Sequence, residues 1–92
     1  MIGLQEGSAM VMEENWGISE AHMAEFLSRQ PDVTSVQDGF VFRDCRILLT
    51  ALSHNVLGKW PIPRTRVVIT GSEDDAREIH RRLFLRFLSA GG

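Results

Sequence analysis

One cysteine, Cys45, stands alone among 92 residues, so no disulfide can close within the chain, and a single thiol fits a reducing compartment. Metal-ligand pairs close in sequence, such as C-x-x-C or H-x-x-x-H, do not occur, and no metal is expected. Neither a P-loop nor a G-x-G-x-x-G is present. The glycines fall at turns and termini, so no nucleotide cofactor is expected either. No uncharged apolar run approaches the roughly 20 residues of a membrane-spanning helix. The run from Met1 to Gly7 has no basic n-region and no long apolar h-region, from which a cytoplasmic protein without membrane attachment is expected. Internal repeats and low-complexity segments are also missing, which excludes solenoids and tail-like sequences.

What is present is ordinary globular material. With 43% hydrophobic residues, five Phe and two Trp, the chain can bury one core but not two, so residues 1–92 are expected to form a single domain with 1–7 frayed. A net charge of −2 conceals an asymmetry. Residues 1–45 carry eight acids and two bases, and residues 46–92 carry four and eight.

The clearest element is the last. From Ser72 to Ala90 the residues Ala76, Ile79, Leu83, Phe84, Phe87 and Leu88 recur at helical spacing. Ser72 suits an N-cap, Glu73 to Asp75 complement the helix dipole, and Gly91 and Gly92 end the run. A second helix opens at Ser19, where Ile18 and Met23 stand at hydrophobic-staple spacing, and closes before Pro31. Ser8 to Glu13 reads as a short strand. Val33 to Leu52 reads as two or three antiparallel strands punctuated by Asp38-Gly39 and Arg43-Asp44, with Phe40 and Phe42 on one face and Val41 on the other. Ser53 to Arg64 reads as a connection stiffened by Pro61 and Pro63, and Thr65 to Thr70 as the last strand. The fold class is therefore α+β, with a four- to five-stranded antiparallel sheet, two helices on one face, and the order β-α-β-β-β-β-α.

This arrangement leaves the second face of the sheet in need of a cover, because Ala9 to Met12, Ile47 to Leu49 and Val67 to Ile69 are apolar on both faces. The candidates are the Ser53 to Arg64 segment folding back, a second copy of the chain, or a bound apolar ligand.

Residues able to do chemistry do not cluster. Cys45 with His22, His54 or His80 would make a thiolate and base, but all lie on different elements, and a lone cysteine is more often a small buried hydrophobe. His80, at the edge of the apolar stripe, fits a half-buried residue with a satisfied nitrogen. His22, at the start of its helix, fits a cap or a solvent-facing residue. The Glu73 to Asp75 cluster is explained by the dipole and not by a cation.

The sequence thus favours a non-catalytic binding or assembly module. A homodimer or protein partner ranks first, through Leu48, Leu52 and Val68 on the sheet or through Leu85, which lies opposite the helix stripe; a small apolar ligand ranks behind them. The runner-up is an anionic ligand or single-stranded nucleic acid held by Lys59, Arg64 and Arg66 beside Trp60. Nucleic acid is disfavoured by the overall acidity and by the lack of any recognition motif. An enzyme with an unrecognised site comes third.

Overall fold

In a computed structural model, which describes residues 9–57 and 60–88, and their side chains except at 53–57, 60 and 61, the chain forms one five-stranded antiparallel sheet with two helices. The elements are β1 (Ala9–Trp16), α1 (Glu20–Ser28), β2 (Val33–Val36), β3 (Gly39–Phe42), β4 (Cys45–Leu57), β5 (Trp60–Ser72) and α2 (Glu73–Phe87). The strand order is β1-β5-β4-β3-β2. The N-terminal strand therefore pairs with the last one, and α1 carries the chain from one edge of the sheet to the other.

Both helices form as their end residues dictate. The Ser19 Oγ accepts from the His22 backbone N–H at 3.2 Å, a side-chain cap of the first turn of α1. Ser72 stands at the α2 N-cap, but its side chain makes no cap bond. Its one hydroxyl hydrogen is instead shared between Asp44, 3.1 Å from Oγ, and Asp75, 3.2 Å away, so it ties the helix start to the β3–β4 turn. Glu73–Arg77 and Glu78–Arg82 ion pairs at i, i+4 line the wet side of α2.

One core holds the two layers together. Met23 and Leu27 from α1, and Ala76, Ile79 and Leu83 from α2, meet Trp16, Phe42, Cys45, Ile47, Val67 and Ile69 from the sheet. The alternation of strand side chains selects these residues, since Ile47 pairs with Ile69 across β4 and β5 and their neighbours Leu48 and Val68 point the other way. Phe26 and Phe87 pack edge to face at 5.7 Å and join the helices. Thr65, the buried polar residue of this core, donates its hydroxyl to the Ile18 carbonyl at 2.6 Å and closes the β1–α1 corner.

Two expectations need correction. Ser53 to Arg64 is not a connecting loop, because β4 runs on through Leu57 and β5 begins at Trp60, with Asn55 opposite Ile62, Val56 opposite Pro61 and Leu57 opposite Trp60. Pro61 and Pro63 are compatible with a strand for a reason of register. Thr65, Val67, Ile69 and Gly71 turn their N–H groups toward β1, so Pro61 and Pro63, in phase with them, lack N–H groups that would face outward past the end of β1. The apolar stripe of α2 is also shorter than the spacing implies. Ala76, Ile79 and Leu83 are buried and Phe87 is half-buried, whereas Phe84 and Leu88 are exposed. The expectations for Met1 to Gly7, for Lys59 and for Ser89 to Gly92 fall outside the described residues.

Candidate functional site

The residues expected to carry an interaction separate into two groups. Leu48, Leu52 and Val68 share the helix-free face of the sheet, where Val68 lies beside Leu48 and Leu52 beside Arg64. Val11 and Val36 extend this apolar surface toward the two edges, at 67% and 40% exposure, with Leu48 at 42%. The described residues of the Ser53 to Arg64 segment belong to β4 and β5, so they extend the sheet and its expected role as a folded-back cover is withdrawn. Leu85, 51% exposed, belongs to the opposite layer, where it adjoins exposed Phe84 and Leu88 on α2.

The expected anion site is only partly assembled. Arg64 and Arg66 alternate onto the open face of β5, and Arg46 of β4 joins them there, facing Thr70. Arg66 is engaged with Glu13 at 3.4 Å. Lys59 lies outside the described residues, and Trp60 is placed by its backbone as the first residue of β5.

The thiol is not poised for attack. Cys45 is fully buried, and its Sγ faces the Ser72 carbonyl at 3.7 Å and Asp44 Oδ1 at 3.6 Å. Burial and the adjacent Asp44 charge push its pKa up to about 11, which keeps it protonated at neutral pH. The described imidazoles are occupied elsewhere, with His22 Nδ1 lying 2.9 Å from Ser19 Oγ and His80 Nε2 lying 2.8 Å from Glu14 Oε1.

That last pair belongs to a constellation without a sequence motif. Glu14 Oε1 accepts from both His80 Nε2 and Trp16 Nε1, the latter at 3.0 Å, and the Trp16 and His80 rings meet edge to face at 5.8 Å. The hydrogen bond from His80 holds the Glu14 carboxyl below its ordinary pKa. An ionised carboxylate only accepts, so His80 carries its hydrogen on Nε2 in this contact. An open groove of about 490 Å³ runs beside the pair, bordered by Trp16, Gly17, Phe84 and Leu88. A carboxylate that orients an imidazole is one part of acid–base machinery, but no nucleophile stands among the described residues that border it. Glu14 and Trp16 share one strand face by parity; their union with a helix residue 66 positions away left no local trace.

A second cluster closes the other end of the core. Arg82 grips Asp32 through two bonds, at 2.9 and 3.1 Å, and Glu78 at 2.9 Å. Arg43 holds Asp75 at 3.0 Å. The guanidinium carbons lie 4.9 and 4.6 Å from the centre of the buried Phe42 ring. Every charge here is met by another within the chain, which makes it a clasp and not a vacant site. The described residues contain no group of three or more His, Cys, Asp or Glu able to hold a metal ion, and no helix among them is long and apolar enough to cross a membrane.

No family model matches the chain, and neither a curated protein nor a solved structure matches it significantly.

Proposed function

We propose that the chain is a non-catalytic assembly module whose open sheet face docks a second copy or another protein. The observation that supports this is the exposure of Val11, Val36 and Leu48 on a face that neither helix covers. Strands about 4.8 Å apart and about 3.4 Å per residue give the whole face an area on the order of 500 Å², within which Val68, Leu48 and Val36 form an apolar band bordered by Glu13, Arg46 and Arg66. Isolated apolar residues are common on surfaces, whereas neighbouring ones rimmed by charged residues on an uncovered sheet face fit a contact. Light scattering on the free protein, with binding of a hydrophobic dye, tests the proposal. Self-association or dye binding is expected, lost in Leu48→Glu and retained in Leu85→Glu. A monomer that binds no dye overturns it.

A second reading rests on Arg46, Arg64 and Arg66, three cations facing one acid, Glu13, on the same surface. An anionic ligand held there would be released steeply by salt. Mixed single-stranded oligonucleotides that leave tryptophan emission unchanged at low salt would end this reading for nucleic acid.

A further inference from the structure

β1 is the outermost strand on its side of the sheet, and its outer edge has no strand partner among the described residues. Its pairing with β5 fixes which amides lie there. Thr65, Val67, Ile69 and Gly71 turn their N–H groups toward β1, so Met10, Met12, Glu14 and Trp16 bond inward. The N–H and C=O groups of Val11, Glu13 and Asn15 therefore point outward. A strand laid against this edge would find them in one phase, because β1 pairs without a register shift and contains no proline.

Side chains alternate with the same parity. Trp16 belongs to the core, Met10 and Met12 pack against it and Glu14 meets His80, so the even positions face α2. α2 starts beside Ala9, since Ser72 pairs with that residue, and by His80 it has reached Glu14. Phe84 and Leu88, one and two turns on, lie toward Trp16 and Gly17 and border the groove there. Both hydrogen bonds to the Glu14 carboxylate end on Oε1, from His80 Nε2 and Trp16 Nε1. Its Oε2 has no partner among the described residues, and the side chain is about half exposed. Glu14 is the one acid bordering the groove among the described residues, and no Lys or Arg of theirs borders it.

We propose that the groove between β1 and α2 is a strand-addition site for an extended, antiparallel peptide that carries an apolar side chain and, two residues away, a basic one. This goes beyond the face reading, because the peptide lies along an edge and leaves Leu48 and Val68 uncovered. Directly opposite residues of paired strands share a face. The peptide residue opposite Trp16 therefore rests on Phe84 and Leu88, and the one opposite Glu14 meets the open Oε2. Those opposite Asn15 and Glu13 exchange backbone hydrogen bonds with them. Antiparallel addition continues the pairing of every other strand in the sheet. Charge selects the occupant: a second copy added through β1 would bring its own Glu13 and Glu14 to the same junction, whereas a basic peptide complements the carboxylate already there.

Titration of the full chain with a labelled, end-blocked hexapeptide tests this, with fluorescence anisotropy as the readout. Leucine, lysine and valine occupy its first, third and fifth positions, with threonine at the others. A dissociation constant tighter than about 1 mM is expected. Phe84→Ala and Asn15→Pro, the second of which removes an outward N–H, should each weaken binding by about five-fold or more, while Leu48→Glu should leave it unchanged. Exchanging the peptide lysine for glutamate should weaken binding by about five-fold, and Glu14→Gln should remove that difference. N-methylation separates pairing along the edge from mere lodging in the groove. On the three threonines, whose amides face β1, it should abolish binding, and on the leucine, lysine and valine it should spare it. A peptide that does not bind overturns the proposal, as does any other methylation pattern or equal affinity of the lysine and glutamate peptides for the parent protein. A dimer that Asn15→Pro converts to monomers overturns it in favour of a second copy. Should Asn15→Pro not fold by circular dichroism, the methylated peptides decide on the unmodified chain.

Discussion

Cys45 and Gly71 form a contact in which each limits what the other position can hold. A methyl group on Gly71 would lie 2.5 Å from Cys45 Sγ and 2.7 Å from its Cα. Gly71→Ala is therefore expected to destabilise by ~1–3 kcal/mol, the range for an overpacked site, measured by urea unfolding. Trimming the sulfur in Cys45→Ala should recover only part of it, because the backbone carbon remains. The thiol also sets an alkaline limit. Folding retains its proton, so the unfolded chain ionises first, near the ordinary value of 9.0, and the folded chain only near 11. The stabilisation is complete below the lower value and declines as pH rises through that window. With no Tyr and one Lys in the chain, few other side chains titrate there, and Cys45→Ala should flatten the decline in unfolding free energy between pH 8 and pH 11, values on the order of those two thiol limits. Glu14 acts with the opposite sign. Its carboxyl is lowered chiefly by the His80 hydrogen bond, so its contribution is present above the ordinary carboxylate pKa and lost as pH falls through the folded value. Because the Glu14 side chain is about half exposed, Glu14→Gln should cost no more than ~0.5 kcal/mol at neutral pH, and less in acid.

The β4–β5 arm shows how an element can be hidden by its own punctuation. Two prolines within four residues argue for a loop, yet only every second residue of a strand edge needs its N–H, and both prolines fall on the outward phase. Replacing Pro61 and Pro63 together by Val restores two outward amides. Increased self-association, seen as turbidity at concentrations where the parent protein stays clear, is the expected outcome. The helices, the two-residue turn at Arg43-Asp44 and the parity of Phe40, Val41 and Phe42 were legible because capping, turn and alternation signals are local. The far end of the α2 stripe was not. Phe84 and Leu88 keep helical time, but they lie on the flank of α2 that borders the open groove beside Trp16, while Leu83 and Phe87 turn to the core, and periodicity records which residues are aligned without recording what faces them.

For the molecule as a whole, the acidic first half and basic second half do not form separate poles. Glu13 meets Arg66, Glu14 meets His80 and Asp32 meets Arg82, so the charge asymmetry of the sequence is consumed in joining its two ends. Most of these pairs are half-exposed, and raising salt from low to moderate should lower stability by less than ~1 kcal/mol, read from denaturation midpoints. The candidate interaction residues were legible in part for a related reason. Strands apolar on both faces announce that a second face exists, so Leu48, Leu52 and Val68 fall together, whereas nothing local places Leu85 on the opposite layer or brings Glu14 to His80.

The sheet order has a further consequence, for the time at which the protein can exist. β1 lies beside β5, with Ala9 opposite Ser72 and Trp16 opposite Thr65. A nascent chain emerging from a ribosome at about 5–20 residues per second therefore carries Met10, Met12 and Trp16 without their sheet partner until the last strand has left the exit tunnel. The β2–β3–β4 meander can pair early, through short loops that close quickly. β1 is thus the strand that waits longest for its partner, and the large sequence separation of its contacts is expected to make closure of that edge slow, as stopped-flow refolding followed by tryptophan emission would read.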